Sequence, residues 1–208
     1  FNLVSMGILF VATPLLSAAL PLIVSTWEQG HQERIQRVIS NFSRYYLLSA
    51  MPVVAFTLVF SREIATVFLG EGFREGYRIM PFVLVGSLFW NFAMYGHKGI
   101  KLLEKTRVML LLVVICCVVN IFLNLIFVPK YGYFAAAVTT MASHALYPMM
   151  VYFVTKRYLA WVIPWRSVFN IIVAGAVASA GWWGVKWLLT GKIHILLILV
   201  IALVVGML

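Results

Sequence analysis

The chain has 208 residues, 63% hydrophobic and 11% charged, with a mean hydropathy of +1.01. A soluble domain averages about half apolar and about a quarter charged, so an ordinary soluble enzyme or binding module is excluded and a polytopic membrane protein is expected. The formal charge of +10 comes from sixteen Lys and Arg against six acidic residues, all of them Glu; it reads as basic loops that orient helices and touch membrane lipid headgroups, with no nucleic-acid partner.

A membrane-crossing helix needs about 20 mostly apolar residues. Seven stretches qualify, at 1–24, 45–69, 79–102, 108–128, 133–155, 167–189 and 194–208. The chain begins at Phe1 and stops at Leu208 in mid-run, which reads as two cuts in a longer protein. The fold class expected is all-α, a membrane helix bundle. Between the first two spans, Ile35, Val38, Ile39, Phe42 and Tyr46 recur on one helical face and Glu33, Arg34, Gln36 and Arg37 on the other. That pattern predicts an amphipathic helix near 31–44 lying at the inner interface before the second span. The second span is interrupted by Ser61–Glu63, read as its arrival at an interface.

Alternate loops carry unequal positive charge. Arg34, Arg37, Arg44, Lys98, Lys101, Lys105, Arg107, Lys156, Arg157 and Arg166 fall on one side; Arg62, Arg74, Arg78, Lys130, Lys186 and Lys192 fall on the other. The richer side is expected to be cytoplasmic. Pro14, Pro21, Pro52 and Pro148 lie inside spans and can kink them. Gly175 with Ser179, and Ala174 with Ala178, are small pairs one turn apart that let helices approach within this chain. Cys116 and Cys117 are adjacent and point to different helix faces, so neither a disulfide nor a metal site is expected.

Polar groups line up on three consecutive spans. Asn91, Tyr95 and Lys98 share a face of the third; Asn120 and Asn124 share one on the fourth; Thr140, His144 and Tyr147 share one on the fifth. An amide facing hydrocarbon without a partner is costly, so these stripes point inward. They are either helix-to-helix contacts or the lining of one hydrated interior. Lys98 is placed as a cation about one turn above the inner end of its helix, with Arg44 as a second. No glutamate sits deep in a span, and no catalytic set, metal cluster or phosphate-binding glycine loop is evident. No catalytic residue, metal or cofactor is therefore expected, and the visible chemistry favours an anionic ligand, or none.

The stretch "VNIFLNLIFVPKYGYFAAAVTT" resembles the Asn-x-x-x-Asn helix, Pro-x-Tyr-Gly turn and small-residue helix of bacterial polysaccharide flippases, within the multidrug/oligosaccharidyl-lipid/polysaccharide flippase superfamily. "SAALPLIVSTWEQGH", "IATVFLGEGFREGYRIMPFVLVG" and "KLLEKTRVML" are similar to the family's eighth helix, ninth-to-tenth connection and basic connector before the eleventh. Ala135 stands where the family turn usually has a second glycine. The resemblance covers about residues 5–157. It implies the C-terminal lobe of a 12–14-helix transporter, with family helices 8–12 in 1–157 and an accessory pair, 13–14, in 158–208.

It also implies a flippase that moves a polyprenyl-pyrophosphate-linked oligosaccharide across the bacterial inner membrane by alternating access, together with a missing N-terminal lobe. In that reading Lys98 and Arg44 attract the headgroup. Asn91, Tyr95, Asn120, Asn124, Thr140, His144 and Tyr147 bond sugar or neighbouring helices. A multidrug exporter of the same superfamily and a non-transporting membrane scaffold are the competing readings.

Overall fold

The computed structural model describes residues 2–189; the expected seventh span, 194–208, lies outside the described residues. The described chain is a helical bundle: α1 (Asn2–Glu28), α2 (Gln32–Phe68), a 3-10 segment (Glu71–Arg78), α3 (Met80–Leu102), α4 (Thr106–Thr155) and α5 (Trp165–Leu189). α1, α2, α4 and α5 are long and apolar enough to cross a membrane, and α3, bent 59° from the 3-10 segment, joins them as a fifth candidate.

α4 is two spans. Fifty residues of helix would run about 75 Å, more than twice the roughly 30 Å hydrocarbon core. The chain leaves helical geometry at Gly132 (φ 63, ψ −149) and doubles back. Side-chain pairs between 116 and 143, 120 and 140, and 124 and 139 are nested around that turn, as two antiparallel arms require. The arms (106–131 and 133–155) match the expected fourth and fifth spans. The described chain therefore supplies six crossing segments where the first six were expected.

The interfacial helix expected near 31–44 is not a separate element. α2 runs without a break from Gln32 past residue 44, and Ile35, Ile39, Ser43, Tyr46, Leu47 and Ala50 form one continuous buried stripe along it. The apolar face covers neighbouring helices instead of lipid. Nor do the prolines break the helices. Among the described residues the backbone leaves helical geometry inside a helix only at Phe60 and Gly132, because neighbouring turns absorb an isolated proline.

One core joins α1, α2, α3, the second arm of α4 and the connection before α5. Ile8, Ala12, Ala19 and Ile23 of α1 meet Ile35, Tyr46 and Ala50 of α2, Leu84, Tyr95 and Ile100 of α3, and Tyr147 and Val151 of α4. Leu159 and Trp161 close it from the 156–164 connection. The Trp161 indole donates to Ser43 Oγ at 3.0 Å and its ring lies 4.8 Å from Phe92. Gly96 makes room for it. As expected for its small-residue pairs, α5 approaches α2 closely: a Cβ on Gly175 would lie 2.9 Å from Met51 Cγ.

Candidate functional site

The α4 hairpin uses its amides between its own arms. Asn120 Nδ2 donates to Thr140 Oγ1 (3.4 Å) and Ser143 Oγ (3.3 Å). Asn124 Nδ2 donates to Asn120 Oδ1 (2.9 Å), and Thr139 Oγ1 donates to Asn124 Oδ1 (2.6 Å). Cys116 Sγ reaches Ser143 O at 3.1 Å. The four-residue spacing puts Asn120, Asn124 and Cys116 on one stripe of the first arm. The hydroxyls at 139, 140 and 143 meet it from the second.

A different group lies between α3 and the second arm. Tyr147 is fully buried and its hydroxyl lies 2.6 Å from His97 Nε2. Trp90 stacks on Tyr147 with ring centres 4.5 Å apart, and the His144 ring is 5.1 Å from Trp90. His144 Nδ1 rests against Gly86, where an added Cβ would be 3.4 Å away. On the α2 side of α3, Tyr95 is fully buried with its ring 5.5 Å from Tyr46, whose hydroxyl donates to Leu88 O at 3.2 Å. Asn91 is buried and bonds Ser87 O of its own helix at 2.9 Å.

The three polar stripes therefore do not converge on one chamber. Asn120, Asn124 and Thr140 belong to the hairpin seam; His144 and Tyr147 belong to the α3–α4 contact; Asn91 and Tyr95 are sealed between α3 and its neighbours. The physical reason is economy of hydrogen bonding. Asn91, Asn120, Asn124, Thr140 and Tyr147 each find a partner within the lobe, whereas Tyr95 Oη and His144 Nδ1 are buried without one among the described residues.

Two cations stand outside these clusters. Lys98 is half-buried and Arg44 is exposed, and neither makes a hydrogen bond or ion pair among the described residues. The Tyr46–Tyr95 contact sets their helices in register, which places Arg44 and Lys98 at similar depth on adjacent helices. At the opposite ends of the helices, Arg78 and Lys186 are paired. Arg78, beside the Tyr77 hydroxyl and the Glu75 carboxylate, is held above the usual guanidinium range. Lys186 bonds Glu63. Among the described residues no grouping of His, Cys, Asp or Glu could hold a metal ion.

Sequence reasoning missed His97, Thr139, Ser143 and Trp90. Thr139 and Ser143 sit four apart, facing the amide pair across the turn, and that complementary spacing was the available signal. For His97 the neighbouring Lys98 drew the assignment. The seam makes a definite prediction. Asn120→Leu leaves Asn124, Thr140 and Ser143 short of a partner and should lower stability by about 1–2 kcal/mol, read as a lower thermal midpoint in detergent. Val119→Leu, on the neighbouring face, should cost less.

A family model, MatE, matches residues 1–126, from α1 through most of the first arm of α4. A probable low-salt glycan biosynthesis flippase, Agl15, of Haloferax volcanii is 27% identical over 160 residues, covering 74% of this chain and 34% of that protein. An uncharacterized membrane protein of Methanocaldococcus jannaschii is 18% identical over 137 residues, 65% of this chain and 27% of its own length. The chain thus spans about a third of the curated relatives it matches. A solved structure of the lipid II flippase MurJ, in an inward closed conformation, superposes with a TM-score of 0.71 at 16% identity, over 95% of this chain and 41% of that one. The fold is that of one part of a flippase, and with the family model covering more than half its length the chain belongs to the MatE family.

Proposed function

We propose that the chain is the C-terminal lobe of a flippase carrying a polyprenyl-pyrophosphate-linked oligosaccharide across the cell membrane. Residues 1–157 would form the lobe proper and 158–208 an accessory helix pair. The observation that carries the reading is the half-buried, unpartnered ammonium of Lys98 with Arg44 at similar depth, in a lobe folded like that of a flippase. An ammonium withdrawn from water and lacking a counter-ion favours an anionic ligand, and a pyrophosphate supplies one.

The polar residues now divide in role. Lys98 and Arg44 meet the headgroup. Asn91, Tyr95, Asn120, Asn124, Thr140, His144 and Tyr147 hold the lobe in the shape that presents them. A further lobe, matching the part of the relatives' length that this chain does not span, would be the partner that completes the cleft. The sequence relatives are archaeal, so the location widens from a bacterial inner membrane to the plasma membrane of either group. A multidrug exporter fits less well: Glu63, a carboxylate inside a described helix, is already bonded to Lys186, which leaves no free acid there for an organic cation.

The test is headgroup translocation in liposomes by the full-length protein. Lys98→Ala should slow flipping about tenfold, or ~1.4 kcal/mol of barrier, with the thermal midpoint preserved. Lys98→Arg should keep most of the rate. Flipping at the wild-type rate by the alanine variant would remove Lys98 from the site. No flipping by the intact protein would remove the function.

A further inference from the structure

α2 loses helical geometry at Phe60 (φ −107, ψ 18). A break within a bilayer frees backbone carbonyls that hydrocarbon cannot satisfy. Here the Val59 carbonyl accepts from Lys186 Nζ at 2.9 Å, across 127 residues of sequence. The same ammonium meets Glu63 Oε1 at 2.9 Å and Oε2 at 3.0 Å. The charge is thus neutralised where it sits, with Glu63 only 16% exposed. Val59 and Glu63 are four apart, so one ammonium reaches both from a single face.

The contact one turn away on α5 repeats the arrangement in apolar form. Trp182 is buried, packs edge-on against Phe56 at 5.5 Å, and shares a small core with Phe60 and Ala55. Along the same helix pair an open apolar groove of about 480 Å³ runs past Met51, Pro52, Ala174 and Ala178 to Trp182, with α5 close to α2 at Gly175 and Met51. Most of α5 is exposed, with Ile171 and Trp182 as its buried side chains among the described residues. The polar contact at the break therefore joins the apolar contacts of Ile171, Gly175 and Trp182 in holding α5 to the lobe.

We propose that Lys186, Glu63 and the Val59 carbonyl form a clasp that fastens α5 to the break in α2, so that α5 and residues 61–68 move as one body. This goes beyond the transport reading and does not depend on it.

The experiment measures the distance between spin labels on two exposed positions, Val67→Cys beyond the break in α2 and Val177→Cys in α5, in the full-length protein in liposomes. The exposed Cys117 is replaced by Ala and any other accessible cysteine is removed. The parent should give one narrow distribution. Lys186→Met and Glu63→Gln should each broaden it by about one helical turn, roughly 5 Å. Lys186→Arg, and the exchange Glu63→Lys with Lys186→Glu, should narrow it again. A narrow distribution in both neutral variants overturns the proposal. So does broadening that the exchange and the arginine variant both fail to correct, since packing of the lysine stem would then explain it. If Lys186→Met does not fold, Glu63→Gln against the exchange decides by the same criteria.

Discussion

Gly96→Leu is expected to destabilise the folded lobe severely. A Cβ at this position would lie 2.5 Å from Trp161 Cε3 and 2.7 Å from Val151 Cγ1. Neither neighbour can withdraw cheaply. Trp161 is 2% exposed, tied to Ser43 and packed on Phe92, and Val151 is fully buried. Alanine alone should cost about 1–3 kcal/mol as an overpacked core. Leucine adds three more carbons to a site with no free volume and should exceed ~4 kcal/mol, where large effects concentrate. The measurement is the thermal midpoint in detergent, expected to fall by about 10 °C or more, with Trp161 fluorescence shifting as its indole meets water. Gly184→Ala is the control: a Cβ there meets nothing within 4 Å, so the midpoint should hold or rise slightly.

Gly132→Ala should be the next most damaging change, for a different reason. A Cβ at Gly132 also meets nothing within 4 Å. The cost lies in the backbone. With φ 63 and ψ −149, the residue occupies a region that is essentially glycine-only, and holding another residue there costs about 1–3 kcal/mol. If the turn relaxes, the arms shift and the 120–124–139–140–143 seam loses register, so both losses arrive together. The readout is cross-linking between Asn124→Cys and Thr139→Cys introduced across the seam. It should be efficient when Gly132 is kept and weak in the Gly132→Ala background, alongside a lower midpoint. Efficient cross-linking in both would show that the turn tolerates alanine.

Much of this architecture was legible in the residues. Spans were found because hydrocarbon thickness demands long apolar runs, and the hairpin turn because Pro129, Tyr131 and Gly132 interrupt one. Two other features were out of reach for definite reasons. The stripe Ile35–Tyr46 was assigned to the membrane surface because periodicity reports that a face is apolar, not what covers it; lipid and a neighbouring helix leave the same mark. Gly96 was unremarkable in sequence because its partner, Trp161, lies far along the chain in a connection with no periodic signal.

The candidate site was read less well. Polar spacing located aligned polar groups on three consecutive spans, but inferring a common chamber required knowing which groups already had partners. Asn124 is engaged by a threonine from the opposite arm, and Tyr147 by a histidine passed over beside a lysine. Lys98 and Arg44 survive as candidates because they lack such partners among the described residues.

The seam within α4 also bears on how the protein is made. A lone arm leaving the translocation channel would expose two carboxamides to acyl chains, an unfavourable solo entry. With Thr139, Thr140 and Ser143 already docked, the arms present a largely oily exterior. They are thus suited to leave the channel sideways as a pair, the first waiting for the second.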